Sequence, residues 1–307
     1  MLYRHLGRTG LSVSEIGFGA ASWWGKPQFD EGEAVGLVHA ALAGGVTLFD
    51  TGSSYSGGHA EERLGRALMG RDVSGLVVAT KAGTFSHGGR VGRDFSAAAI
   101  VASAERSLRN LGLEVLPLLQ LHGPSADEID RLDGTLAGLR RRGLVRALGV
   151  NSFDPAVIDH AIAAPGIDVV MVDYNVLRPE REPLIARAAA AGKGVLAGMP
   201  LAMGHLTPRP IRGLRDLWYE ARGRLRHKRE RELGARFRFL NRLAGVTAAQ
   251  AALSYVLANR DVASAVVGAT RMAHLEQDLA ASGMTLSQDV LDAIRTAQKA
   301  LPAGLSG

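Results

Sequence analysis

The chain has 307 residues, 47% hydrophobic and 21% charged, the make-up of a soluble globular protein with room for one large α/β domain or two smaller ones. It contains no cysteine, which excludes disulfides, thiolate metal sites and a cysteine nucleophile and makes a reducing cytoplasm the expected location. The net charge of +6 is local, with 12 Lys and Arg against 4 Asp and Glu between Gly204 and Leu243, and no stretch approaches the roughly 18 apolar residues of a membrane span.

The leading segment, YRHLGRTGLSVSEI, has two short alternating runs around Arg-Thr-Gly and predicts a hairpin. Eight β-rich runs follow: EIGFGA (15–20), VTLFD (46–50), GLVVATK (75–81), VLPLLQLH (115–122), RALGVNS (146–152), VVMVDY (169–174), GVLAG (194–198) and SAVVGA (264–269). Helical stretches such as EGEAVGLVHAALAG, SAAAIVASAERSLRNLG and TAAQAALSYVLANR separate them, several opened by Asp or Ser and closed by Gly. Eight βα units predict a closed (β/α)8 TIM barrel, an α/β fold over residues 1–307 as one domain, with the hairpin covering its amino-terminal end and function at the carboxyl ends of its strands. An extra amphipathic helix is expected over LSQDVLDAIRTAQKAL, and an extended basic loop after strand seven. The competing fold is a doubly wound sheet, because GFGAAS (17–22) is close to a dinucleotide-binding glycine turn; Ser22 stands where the third glycine belongs, and no acidic residue closes a second strand at the usual distance.

Three ionisable residues close consecutive strands: Asp50 the second, Lys81 the third and His122 the fourth. Neighbouring barrel strands bring such ends together, and Tyr55, in the loop after strand two, can lean over the patch. Taken singly, each has an ordinary reading as a turn former, a solvated lysine, a loop histidine or a packing tyrosine. At matching ends of adjacent strands, the joint reading is a reaction site.

The segments FDTGSSYSGGHAEERLG, VVATKAG, LLQLHGPS, ALGVNSFD, YNVLRPERE, AGMPLAMGHL and VVGATRMAHLEQDLAA stand in the order and at the spacing of the aldo-keto reductases, which the chain resembles over nearly its whole length. The resemblance implies a nicotinamide cofactor, usually NADPH with NADH as the other possibility, bound without a Rossmann domain. It also implies a catalytic tetrad of Asp50, Tyr55, Lys81 and His122. Carbonyl reduction by hydride builds negative charge on oxygen, so a donor must act as the hydride arrives. Tyr55 would be that general acid/base, Lys81 would lower its pKa, Asp50 would hold Lys81, and His122 would bind the substrate oxygen.

The same resemblance implies a cofactor site. Asn151 and Ser152 present the usual strand-five pair in exchanged order, Met171 replaces a glutamine on strand six, and Pro200, Leu201 and Gly204 follow strand seven. Around strand eight, Gly268, Thr270, Arg271, His274 and Asp278 stand where the adenosine phosphate is bound, with Arg271 either a 2′-phosphate ligand or an ordinary surface arginine at a helix start. Trp23 and Trp24, one of them facing the pocket, and then Phe85 and Phe153 are the candidate substrate wall. No metal site is expected.

The expected activity is therefore a NADP-preferring oxidoreductase acting on a small carbonyl or sugar substrate. The alternative is a cofactor-binding regulatory or interaction subunit on the same fold. Neither a nucleic acid nor a membrane is an expected partner, and the sequence does not fix the oligomeric state. The basic segment has few aromatics for base stacking, and its glutamates can pair at helical spacing, Glu220 with Arg224 and Glu232 with Arg236. Trp218, Leu225, Leu233 and Phe237 supply an apolar face to this segment, whose arginines would meet cofactor phosphates, an anionic substrate or solvent.

Overall fold

Short apolar runs alternate with capped helices, and the alternation closes on itself. A computed structural model describes residues 1–87, 90–206, 211, 213–226 and 228–301. In chain order the strands are β1 (Tyr3–His5), β2 (Ser12–Ser14), β3 (Ile16–Gly19), β4 (Leu48–Asp50), β5 (Val77–Ala82), β6 (Thr84–His87), β7 (Arg90–Arg93), β8 (Leu116–His122), β9 (Val145–Asn151), β10 (Val169–Asp173), β11 (Gly194–Gly198) and β12 (Ser264–Val267). The eight parallel strands β3, β4, β5, β8, β9, β10, β11 and β12 form a closed barrel, while β1–β2 and β6–β7 are antiparallel hairpins. The doubly wound alternative is thereby excluded: GFGAAS leaves β3 into a loop, and the next helix begins only at Glu31.

The helices are α1 (Glu31–Ala43), α2 (Ala60–Leu68), α3 (Ala97–Leu111), α4 (Ala126–Arg141), α5 (Pro155–Ala163), α6 (Glu182–Ala190), α7 (Leu214–Arg226), α8 (Lys228–Gly234), α9 (Ala248–Ala258), α10 (Met272–Leu279) and α11 (Gln288–Lys299). Their ends follow from local chemistry. Asp30 accepts from the Glu33 amide at the start of α1, and capping boxes Ser125/Glu128 and Thr247/Gln250 open α4 and α9. Gly112, at φ +67°, closes α3. Among the described residues no helix is long and apolar enough to cross a membrane.

Strand parity divides the barrel into two cores. Outward residues such as Phe18, Phe49 and Val78 pack under the helices, whereas Leu48, Val77, Leu118, Val169 and Leu196 fill the interior together with Leu6 and Val13 from the hairpin. The hairpin closes the amino-terminal end: a Cβ on Gly7, at φ +57°, would lie 2.2 Å from the Gly194 amide nitrogen where β11 begins.

The basic segment is partly helical, but not one continuous stripe. Leu233 and Phe237 are buried, while Leu225 is 84% exposed because α7 ends one residue later and α8 turns inward without it. Glu220 pairs with Arg224 as expected, whereas Glu232 faces Lys228 and Arg236 instead donates to the Ala300 carbonyl.

Gly65 marks a close approach of α2 to α3, since a Cβ there would stand 2.2 Å from the Asn110 carbonyl oxygen. Gly65→Ala is expected to destabilise the chain by about 1–3 kcal/mol through overpacking. Gly134→Ala, in α4 with open space around it, should instead be neutral or stabilise by up to about 1 kcal/mol. Urea denaturation midpoints of the two variants check the contrast.

Candidate active site

The barrel register places the polar residues in one ring. Asp50 pairs with Ala79, and Lys81, two residues further along β5, faces the same way. Lys81 in turn aligns with Gln120, and His122 with Asn151, which aligns with Met171. Asp50, Lys81, Gln120, His122 and Asn151 lie above the apolar interior, to which Ala79 and Met171 belong, towards the carboxyl ends of the strands.

Lys81 is fully buried, and its three donors are all engaged. Its Nζ donates to both Asp50 carboxylate oxygens, at 2.7 and 2.6 Å, and to the Thr51 carbonyl at 2.8 Å. A further hydrogen bond to Asp50 comes from Gln120 Nε2 at 3.2 Å. Burial pulls the Lys81 ammonium down, but Asp50 and Tyr55 outweigh it and hold Lys81 above its usual range, so it stays charged. The Asp50 carboxyl is pushed up by burial, against the opposing pull of Lys81 and Gln120.

Tyr55 heads a 3-10 turn, Tyr55–Gly58, fixed by its amide donating to the Gly52 carbonyl. The Lys81 Nζ lies 4.6 Å from the centre of its ring, acting as a charge beneath the phenol. Burial pushes the phenol above its usual value and Lys81 opposes it. The lysine is thus a counterweight to desolvation in this structure, and the net shift is upward rather than the lowering expected from the sequence.

The His122 ring stands edge-on to Tyr55, with centroids 5.6 Å apart, and its Nδ1 is 2.7 Å from Thr84 Oγ1. Burial, followed by the charges of Lys81 and Arg93, pushes its pKa down to about 4. The imidazole is neutral at physiological pH.

A cavity of about 240 Å³ opens beside these groups, running from Asp50 and Tyr55 past Asn151, Met171 and Gly198 to the loops after β11 and β12. Pro200, Leu201, Gly204, Gly268, Thr270, Arg271 and His274 all line it. Ser152 and Asp278 do not. The Ser152 hydroxyl accepts from the Asp154 amide at the start of α5, and Asp278 is buried in α10, where burial raises its carboxyl to about 7. Among the described residues no cluster of three or more acidic and histidine side chains suits a metal ion.

The candidate substrate wall divides. Trp24 lines the cavity although almost wholly buried, with its indole N–H donating to the Ala34 carbonyl, and Phe153 lines it while 43% exposed. Trp23 turns away to pack against Trp218 of α7, ring centroids 5.7 Å apart and planes tilted by 53°. Phe85 lies on β6, covers Gly92 and borders a separate depression, because β6–β7 carries it outward from the barrel.

The adenosine-side candidates meet the basic segment. Arg271 donates to both carboxylate oxygens of Asp216, at 2.9 and 2.7 Å, and Arg215 donates to the Thr270 carbonyl. Asp216 and Tyr219 of α7 complete the cavity wall. The sequence reading missed these two, together with Gln120, Thr51 and Thr84. Gln120 was accessible, since it sits two residues before His122 and shares its face of the strand. The β6–β7 hairpin was accessible too, as THR-to-ARG alternation around Gly-Gly in TFSHGGRVGR.

The chain matches the model of the Aldo/keto reductase family over residues 15–299. It is 30% identical over 292 residues to an L-galactose dehydrogenase of Arabidopsis thaliana, covering 91% of this chain and 87% of that protein. To a pyridoxine 4-dehydrogenase of Escherichia coli it is 28% identical, over 92% of this chain and 94% of the other. An aldo-keto reductase of Bacillus halodurans in its holo form superposes with a TM-score of 0.80 at 28% identity, covering 97% of this chain and 96% of that one.

His122 is expected to remain neutral from pH 8 down to about pH 5, whereas in the unfolded chain an imidazole takes up its proton near its ordinary value of about 6.5. Because the unfolded state binds the proton first, this group makes the fold less stable as pH falls from 7 towards 5. A nitrogen-15 NMR titration checks it; a His122 midpoint near the ordinary imidazole value would contradict the burial argument.

Proposed function

Because the chain belongs to the Aldo/keto reductase family, we propose that it is an NAD(P)H-dependent oxidoreductase, NADP-preferring, that moves a hydride between the nicotinamide and a carbonyl or alcohol carbon. The observation that carries the reading is the saturated Lys81–Asp50 pair beneath Tyr55, with neutral His122 at its side. Tyr55 is the general acid in reduction and the general base in oxidation. Lys81 stabilises the phenolate form electrostatically, Asp50 keeps Lys81 charged and fixed, and His122 hydrogen-bonds the substrate oxygen.

When bound, the cofactor supplies the hydride. The residues present fit it: Asn151 at the end of β9 offers an amide to a carboxamide, and Met171 and Gly198 form an apolar floor. At the far end, a Cβ on Gly268 would meet only the Gly19 carbonyl, at 3.4 Å, leaving room for close approach. The start of α10 has no side-chain cap, so its amides, with Thr270, Arg271 and His274, suit phosphate. Relatives named L-galactose dehydrogenase and pyridoxine 4-dehydrogenase support a small hydroxylated aldehyde, ketone or sugar as the substrate class. Trp24, Phe153 and Tyr219 form its wall. The cysteine-free composition supports a cytoplasmic location.

Lys81→Met removes the charge beneath Tyr55 and is expected to lower turnover by at least roughly 10³-fold, as general acid catalysis and electrostatic stabilisation are lost together. It also leaves Asp50 buried without its partner, so circular dichroism and a thermal melt accompany the NADPH-oxidation assay. A folded variant with near-native turnover would overturn the tetrad.

Arg271→Ala should weaken NADPH binding by about 10- to 100-fold, the worth of a charge-assisted hydrogen bond, and NADH much less. Fluorescence titration with both cofactors measures this. Equal losses would remove Arg271 as the 2′-phosphate ligand.

A further inference from the structure

Behind His122 the structure holds a chain of hydroxyls that no part of the proposed reaction requires. His122 Nδ1 lies 2.7 Å from Thr84 Oγ1, which lies 2.9 Å from Ser54 Oγ. Both hydroxyl residues are more than nine-tenths buried. They reach His122 from different elements, since Thr84 opens β6 and Ser54 precedes the 3-10 turn that begins at Tyr55.

A hydroxyl has one hydrogen to donate and two lone pairs to accept with, so the chain admits three directions of donation. In one, Ser54 donates to Thr84 and Thr84 donates to Nδ1; His122 then carries its proton on Nε2. In the second, Nδ1–H donates to Thr84 and Thr84 donates to Ser54, whose own hydrogen must go elsewhere; in the third, Nδ1–H and Ser54 both donate to Thr84, whose own hydrogen must go elsewhere. Among the described residues Ser54 Oγ makes one hydrogen bond, the one to Thr84, and it does not cap the turn it precedes. The Thr84 main chain is anchored independently, its carbonyl accepting from Ser53 Oγ at 2.8 Å. Only the first direction places every hydroxyl hydrogen on an acceptor, and buried polar groups are almost always satisfied.

We propose that Thr84, backed by Ser54, is a positioning residue that fixes His122 as the Nε2–H tautomer, so that the imidazole presents a donor and not a lone pair to the substrate oxygen. A neutral imidazole can donate only from the nitrogen that carries its proton, so the Thr84 hydroxyl decides whether His122 supports carbonyl binding. The rest of the ring's surroundings agree: Lys81 and Arg93 are the cations that act on it, and both disfavour a second proton.

The kinetic part of this inference rests on the proposed reading of His122 as a substrate ligand; the tautomer itself does not. The test is nitrogen-15 NMR of the cofactor-free protein labelled at histidine, with the His122 signals assigned by their loss in His122→Gln. The expected wild-type pattern is an unprotonated Nδ1 and a protonated Nε2 at pH 7. Thr84→Val should collapse it towards a tautomer mixture, Thr84→Ser should restore it, and Ser54→Ala should give a smaller change. In carbonyl reduction Thr84→Val should lower kcat about tenfold, one hydrogen bond's worth, with Kd for NADPH unchanged. A protonated Nδ1 in the wild type, or a pattern unaltered by Thr84→Val, overturns the proposal. If Thr84→Val does not fold, Thr84→Ser and Ser54→Ala carry the same comparison. The expected nitrogen pattern with unaltered kcat would instead overturn His122 as the substrate ligand and leave the tautomer assignment standing.

Discussion

One buried ion pair organises the upper half of this barrel. Enclosing an ammonium and a carboxylate is costly unless every donor and acceptor is matched, and Lys81 meets that condition with three hydrogen bonds to Asp50 and Thr51. Gln120 supplies a third contact to Asp50 from β8, the strand beside that of Lys81. Such a pair fits only if β4, β5 and β8 hold their register, because a shift of one residue would turn Lys81 out of the barrel. Register and electrostatics are therefore the same constraint.

The rest of the site is arranged around that fixed charge. The interior below it is apolar, from Leu6 to Leu196, so the pair has no competing solvent on that side. Above it, Tyr55 and His122 face each other at right angles, and the strain of the fold collects at the rim. Ser22, Ser56, Met199, Ala202 and Met203 adopt left-handed conformations although none is glycine. Three of them, Ser22, Met199 and Met203, line the cavity. Backbone held in sparsely populated regions persists where surrounding packing over-determines it, and in this chain it does so at the loops that shape the cavity.

The barrel was legible in the sequence because its signal is repeated: each strand run falls within a residue or two of the element that forms. Asp50, Lys81 and His122 were legible for the same reason, since a polar residue closing an apolar strand has few other places to be. Gln120 was less so, as one polar residue inside LLQLH reads as a break in an apolar run until parity with His122 is applied. Thr84 and Asp216 lay beyond such reading. Their partners, His122 and Arg271, are 38 and 55 residues away, and loops bring them together. The direction of the Tyr55 shift was also not legible, because it depends on how completely the phenol is desolvated, a property of the packed rim and not of the Asp-Lys-Tyr pattern.

The basic segment shows how a charge count can mislead about contacts. Its arginines are largely spent locally or on carbonyls: Arg224 and Arg231 share Glu220, Arg215 donates to Thr270, and Arg236 to Ala300. Two of its acids make the ion pairs that reach across to the barrel. Asp216 holds Arg271 beyond β12, and Glu230 stands 3.5 Å from Arg178 beyond β10. Trp218 adds an apolar contact to the β3 side by packing against Trp23. Among the described residues the segment is thus fastened around the mouth by its minority charges and one aromatic ring as well as by Arg215 on Thr270 and Arg222 on Ser22. One nitrogen of the Arg271 guanidinium, Nη2, is already engaged by both oxygens of the Asp216 carboxylate, so the charge that a phosphate would meet is partly neutralised. An anion arriving at that arginine either takes the guanidinium's remaining N–H groups beside Asp216 or displaces the carboxylate, so the far end of the cavity and one fastening of the segment meet at a single guanidinium.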